Sequence, residues 1–457
     1  MGYSETRVPN STQEIIYTQL SGGWHVLKVL ASDLSDGAIN GRMYINSLSL
    51  DKLSAAPSID HLSLVADQQD ITEGMNVQVS VLAEINNPDG SKTPVDLQGM
   101  DGVEITYSAD NPEVAVIDGA TGRLKTIREG TVNVNAQVVY GGDSKSAQLE
   151  INVTKLETAK TRSTVYTSEE VANARRNAQQ YDWAANMKDA AVAKADDYID
   201  LGFDFLWNLI PPQSLPRCIF VNNELGSPTS GRDIYKYGNY PWIVDPINHP
   251  WKVEDPVTHE LFPSNDFEAY YKSGLDEHGI FDPSLADRSL LVNELYPEKG
   301  PGWGVDDGMG WVDEDNNRFT FISYYVCMGI WWGYLPPLME SLREAYLYTG
   351  DAKYANAGVV LLDRIADMYP SLNTEAYSRI YATNHPGTNC GKAVGSIWDT
   401  TLVKNFLYAY DAFFPAMADG SDTIDDALAF LSQKAGQYNT VLNKATPAAI
   451  RKNIEDG

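Results

Sequence analysis

The chain has 457 residues, of which 43% are hydrophobic and 21% charged, and carries a formal net charge of −28. That length suits two to four globular domains, and the acidic balance opposes nucleic acid and anionic membranes, which need basic patches, while leaving room for a polyanion in a locally basic cleft. No stretch approaches the roughly 20 apolar residues that span a bilayer, since the longest aromatic-rich run, YYVCMGIWWGYL, stops at Pro336-Pro337, so no membrane insertion is expected.

The N-terminus, MGYSETRVPN, has neither a basic nor an apolar signal-peptide region and reads as the interior of a longer gene product. Two alternating runs follow, GGWHVLKVLASD with Trp24 and Val26 on one face and GRMYINSLSL with Met43 and Ile45 on one face. Two strands alone do not make a stable sheet. Residues 1–55 resemble the last strands of a galactose-binding-like β-sandwich of the carbohydrate-binding-module type.

Residues 57–155 read as about seven short strands with turns between them. Val132, Val134, Ala136 and Val138 alternate with Asn133, Asn135 and Gln137, which gives one buried and one wet face. Tyr140-Gly141-Gly142-Asp143 supplies a hairpin turn. Upstream, Ser108, Asn111-Pro112, the VAVID strand, Gly122 and Gly130-Thr131 resemble a bacterial Ig-like group 2 domain. That resemblance implies a β-sandwich spacer of extracellular or cell-surface proteins, with no chemistry of its own.

Residues 156–166 form a polar linker, after which the period changes from 2 to 3.6. Thr167 and Glu170 fit a capping box that opens one or two helices through Gly202. Further on, PPLMESLREAYLYTGDAKYANAGVVLLDRIADMYP reads as a helical hairpin. Leu338, Leu342, Ala345 and Tyr346 form one stripe, and Val360, Leu361, Ile365 and Met368 the other. Gly350 ends the first helix and Asp351 caps the second. Trp398, Leu402, Phe406, Ala409 and Phe413 share a stripe of the next helix; TIDDALAFLSQKAGQY follows, and Thr446-Pro447 opens a last one.

The irregular block 217–333 holds much of the Trp, Tyr, Pro and Gly. Asp313, Asp315 and Asn317 begin like a calcium loop, but Arg318 and Tyr324 stand where Gly and Glu are required, so a hairpin turn is expected and no metal. Asp306-Asp307 reads as a solvated turn, because neighbours on an extended segment point to opposite faces and make a poor hydrolase pair. Cys218, Cys327 and Cys390 lie far apart and read as buried thiols. Trp331, Trp332 and Trp398 read as core, whereas Trp303 and Trp311, flanked by Gly and Asp, are candidates for stacking on sugar rings.

The stretch YATNHPGTNCGKAVGSIWD, residues 381–399, gathers polar groups before a helix. Tyr381, Asn384, His385 and Lys392 are candidate substrate contacts, Lys392 for a carboxylate; His249, in a second Asn-His-Pro, is a weaker one. The runs YDWAANMKDAAVAKADDYID, LWNLIPPQSLPRCIFVN, TGDAKYANAGVVLLDRIADMYP and GKAVGSIWDTTLVKNFLYAYDAFF resemble the heparinase II/III-like polysaccharide lyases over residues 167–457. The resemblance implies an incomplete α/α toroid and β-elimination on an anionic uronan, without a cofactor. Such chemistry needs a group that neutralises the uronate carboxylate, a base for the C5 proton and an acid for the leaving oxygen. In that family these groups are expected beyond the helix holding Phe413, so no catalytic role is assigned here and the chain is expected to lack part of the set. The expected architecture is multidomain: β-sandwich modules, one partial and jelly-roll-like and one Ig-like, followed by the toroid. A toroid glycoside hydrolase and a non-catalytic carbohydrate-binding or adhesion protein are the alternatives.

Overall fold

The computed structural model describes residues 58–87, 91–372 and 392–457. The strands expected around Trp24 and Met43 lie outside these residues, as do Tyr381, Asn384, His385 and Cys390.

The first described unit is built from antiparallel strands. One sheet runs β1 (Ser58–Ala66), β2 (Asn76–Asn86), β6 (Arg123–Thr126), β5 (Ala115–Ile117), with β3 (Lys92–Asp96) also on β2. The other runs β4 (Val103–Ala109), β7 (Gly130–Tyr140), β8 (Asp143–Val153). Val132, Val134, Ala136 and Val138 are buried as expected and share a core with Val77, Val79 and Val81 of β2. The β7–β8 register closes on Tyr140 opposite Asp143, with Gly141 and Gly142 at φ 61° and 88°. Two successive left-handed residues make the tight turn that suits the twist of a hairpin, and glycine takes that conformation without strain.

The second described unit is helical and has its own core. The capping box at Thr167 forms, and the following pattern splits at Tyr181 into α1 (Ser168–Gln180) and α2 (Asp182–Ile199). After α3 (Gly202–Asn208), the block to residue 320 holds short 3-10 turns, the short helix α4 (Phe267–Ser273) and two small two-stranded ribbons. One ribbon pairs β9 (Val253–Glu254) with β10 (Leu261–Phe262). The other pairs β11 (Trp311–Val312) with β12 (Arg318–Phe319), which is the hairpin expected in place of a calcium loop.

A continuous helical segment then passes from α5 (Phe321–Tyr324) through a π-helix (Tyr325–Tyr334) into α6 (Leu335–Thr349). Pro336 and Pro337 supply no N–H, and a proline ring crowds the carbonyl four residues back. The widened register relieves this: the Leu335 N–H reaches back five residues to the Ile330 carbonyl. Gly350, at φ 72°, ends α6; Asp351 caps α7 (Ala352–Met368) by accepting from the Lys353 N–H. The chain continues through α8 (Ser396–Phe413), α9 (Asp425–Gln437) and α10 (Pro447–Asp456), the last capped by Thr446. Helix α7 is buried on nearly every side, packed by α6, α8, α9 and α10.

The segment between α9 and α10 fastens the two units together. The Asn443 N–H donates to the Gly74 carbonyl at 2.6 Å, and its amide donates to the carbonyls of Met75 and Thr126 at 3.1 and 2.8 Å. Asn76 returns the contact, its N–H to the Val441 carbonyl and its side chain to that of Thr440. Lys125 Nζ meets Ser432 Oγ at 2.6 Å. Backbone groups that would otherwise be buried without partners are thus satisfied across the joint.

Candidate functional site

Two aromatic-rich places bear on function, and the first is the loop carrying Trp303 and Trp311. Their ring centroids lie 5.7 Å apart, edge to face. Trp303 also meets Tyr296 and Phe262, and the Lys299 ammonium stands 3.9 Å over its ring while pairing with Glu260. Trp311 stacks on Phe319. Both indoles are half-buried against the helical core.

This loop is organised by Asp306, and here the sequence reading is corrected. Asp306 is fully buried, not part of a solvated turn. Its Oδ1 accepts from the N–H groups of Gly308 and Gly310, and Oδ2 from that of Ile322. Asn265 holds the Asp306 backbone from the other side. Burial pushes the Asp306 carboxyl up to about 6, against the pull of those three donors. Asp307 lies at the surface 3.9 Å from Arg288, so the two carboxylates do not face each other across a groove. Beside the hairpin, a polar hollow of about 290 Å³ is lined by Asn222, Leu225, Val312, Asn317 and Arg318, but the Asn222 and Asn317 amides are already spent on neighbouring groups.

The second place is the N-terminal end of α8. Asp399 accepts from the N–H groups of Lys392, Ala393 and Val394 at 2.5, 3.2 and 2.9 Å, folding the incoming chain onto the helix start. Arg217, fully buried, donates to the Lys392 carbonyl from behind at 2.6 Å. The Lys392 side chain is half-buried: Nζ donates to the Pro370 carbonyl at 2.9 Å and stands 5.4 Å over the Tyr369 ring. An ammonium has three donors, so this anchoring leaves capacity for an incoming carboxylate.

Trp331 and Trp332 turn opposite ways on the π-helix. Trp331 is buried against Tyr369 and Phe406, as expected of core. Trp332 is only half-buried and meets Trp398 edge to face at 5.2 Å, and Trp398 is 48% exposed. The reading of these two as plain core is therefore corrected: they form an aromatic rim one residue from Asp399. Two turns along α8, the Asn405 amide reaches the Pro336 carbonyl at 3.5 Å while its own buried oxygen has no partner. Burial, with Asp399 nearby, pushes the Tyr369 phenol up to about 12. Burial, with Tyr198 and Asp245, does the same to Tyr334, whose hydroxyl has no partner. Both phenols carry their protons at neutral pH.

The structure thus brings together Trp303 with Trp311, and separately holds the Lys392 backbone on Asp399, next in sequence to Trp398 of an aromatic pair that pattern reading missed. His249 lies in a turn held by Asp245, whose carbonyl accepts its N–H. Among the described residues no group of His, Cys, Asp and Glu is arranged to hold a metal ion, and no helix is long and apolar enough to cross a membrane.

No protein-family profile matches the chain, and no curated protein is significantly similar to it. Among solved structures, the chain is similar to domains 4 and 5 of the S-layer protein SbsC, with 20% identity, a TM-score of 0.16, and coverage of 24% of this chain and 58% of that one. The match spans less than two thirds of that structure.

Proposed function

We propose that this chain belongs to an extracellular or cell-surface protein that acts on an anionic polysaccharide, as a heparinase II/III-like lyase cleaving a uronan by β-elimination. In this reading the strand unit is a bacterial Ig-like spacer and the helices form the first part of an α/α toroid. The observation that carries it is the end of α8, where Asp399, next in sequence to the half-exposed Trp398, holds the Lys392 backbone while the Lys392 ammonium lies over Tyr369, on a protein of net charge −28. An aromatic face packs on a sugar ring, and the ammonium offsets the uronate charge whose neutralisation makes the C5 proton removable.

The reading is tested with heparan sulfate, alginate, hyaluronan and polygalacturonate. Binding of one of them to this chain, weakened in Lys392→Ala, and ultraviolet absorbance of an unsaturated uronate product are the expected results. If neither this chain nor a longer product of its gene releases unsaturated product from any of these polymers, the lyase reading falls. The buried, backbone-bound Asp306 and its separation in environment from Asp307 give no support to a hydrolase built on that pair.

A further inference from the structure

We propose that the side chains of Lys444 and Asp367 condense into an amide cross-link, in a self-catalysed step with Asp363 as proton carrier. Lys444 Nζ lies 2.7 and 2.6 Å from the two oxygens of Asp367 and 2.6 Å from Asp363 Oδ2. With both oxygens that close, the Asp367 carboxyl carbon is within about 3 Å of the nitrogen, the separation from which preorganised reactants form bonds. The Asn453 amide donates to Asp363 Oδ1 and Asp367 Oδ1 at 2.8 and 2.9 Å, which holds both acids around the lysine.

The site is closed and one charge out of balance. The side chains of Lys444, Asp363 and Asp367 are 4%, 0% and 16% exposed, so one cation meets two carboxylates where little water enters. Charges buried in this way are costly, and joining one ammonium to one carboxylate as a neutral amide removes two of them. Lys444 also holds φ 53°, a left-handed backbone that is uncommon for a non-glycine residue and persists where the surroundings enforce it. Asn443, immediately before it, is bonded to three carbonyls of the strand unit, so the lysine is presented to α7 from a fixed point.

The step balances without an outside reagent. The ammonium gives one proton, by way of Asp363, to the Asp367 carboxyl, which leaves an amine and a carboxylic acid. Burial raises the pKa of the Asp363 carboxyl against the pull of Lys444, which suits it to carry that proton. Nζ then bonds to Asp367 Cγ. Arg364, 3.9 Å from Asp367 Oδ2 and with its Nε buried and unpartnered, steadies the negative charge that builds on the carboxyl oxygen. A second proton passes from the nitrogen through Asp363 to the departing hydroxyl, the Cγ–O bond breaks, and one water leaves. Asp363 ends as it began. The product joins residues 77 positions apart and pins to α7 the segment that holds the strand unit. It involves neither the end of α8 nor any polysaccharide, and stands whether or not the lyase reading does.

Intact-mass spectrometry of the purified chain is the test. The expected mass lies one water, about 18 Da, below that of the sequence. Trypsin should leave the bond after Lys444 uncut and yield residues 365–379 joined to residues 435–451. Cleavage at Arg364 separates the two acids, so a link from residues 354–364 marks Asp363, and one from residues 453–457, with loss of ammonia, marks Asn453; either overturns the assignment. The full sequence mass overturns it outright. So does a loss of water with Lys444 still cleavable, which is the mark of a succinimide at an Asp-Gly pair. Lys444→Arg and Asp367→Ala should both show the full mass. Asp363→Asn should link about a hundredfold more slowly, read as the linked fraction over time, and an unchanged rate refutes the proton carrier.

Discussion

Lys444 Nζ lies 2.6 Å from Asp363 Oδ2, with the two side chains 4% and 0% exposed. Asp367 approaches the same ammonium at 2.6 Å, and the Asn453 amide donates to both carboxylates. Lys444 follows Asn443, the residue that bonds the strand unit, so a buried charge ties the joint to α7. Burial works against the Lys444 charge, but the two carboxylates outweigh it and hold its pKa above the usual value. Removing one member of such a group strands the others. Lys444→Met is expected to lose about 3–5 kcal/mol in urea denaturation, and Lys444→Met with Asp363→Asn to lose less than Lys444→Met alone. If the double variant is the worse of the two, the stranded-charge account is wrong.

Asp411 of α8, also buried, clamps the linker in a comparable way. Its carboxylate accepts from Lys160 Nζ at 2.6 Å and from the N–H groups of Thr164, Val165 and Tyr166 at 2.7 to 2.9 Å. Burial alone would raise its pKa, but Lys160 and the three N–H groups prevail and bring it down to about 2. A carboxyl whose pKa is lower folded than unfolded stabilises the fold above its unfolded value, near 3.8, and loses that contribution as pH falls towards the folded value. The wild-type protein should therefore lose about 2 kcal/mol between pH 4 and pH 2 through this group. Asp411→Asn should show a shallower fall over that window, lower stability at pH 7, and faster proteolysis at residues 160–166. Identical acid profiles for the two proteins would refute the assignment.

Local pattern was legible where local forces decide. Alternation placed Val132 to Val138, two glycines placed the hairpin, and Thr167 with Glu170 placed a helix start, each within a few residues. Asp306 and Trp398 were misread for the same physical reason. An Asp-Asp-Gly run reads as wet, and nothing nearby says that the Ile322 N–H, 16 residues on, will close over it. Trp398 continues an apolar stripe, yet it sits in the first turn of α8, beyond most of the helices that cover Leu402 and Phe413. The π-helix is partly legible: Pro336-Pro337 after an uninterrupted aromatic run marks where an α-helical ladder cannot continue unchanged. Which indole of Trp331-Trp332 is buried depends on that wider register, which sequence period does not report.

Helices α7 and α8 pass so closely at Gly358 that a Cβ there would sit 2.2 Å from the Phe413 ring. Alanine is the better helix former by about 1 kcal/mol, and on an open surface Gly358→Ala would stabilise. Here Phe413 is fully buried and has no room to yield. The clash, about 1–3 kcal/mol or more, should win. A lowered thermal midpoint for Gly358→Ala, partly restored by adding Phe413→Leu, is the expected result; a raised midpoint would show that the helices separate freely.

The end of α8 gives a prediction that separates charge from stacking. Among the described residues the Lys392 side chain meets the Pro370 carbonyl and the Tyr369 face, so Lys392→Ala should leave stability within about 0.5 kcal/mol. If the proposed uronan contact is made there, the substitution should weaken uronan binding several-fold at low salt and much less at high salt, where an exposed ion pair is screened. Trp398→Ala removes half of the aromatic rim and should weaken binding at both salt concentrations, because packing on a sugar face does not depend on ionic strength. A Lys392→Ala effect that is independent of salt would mean that the lysine acts by holding the chain at Pro370 rather than by meeting a carboxylate.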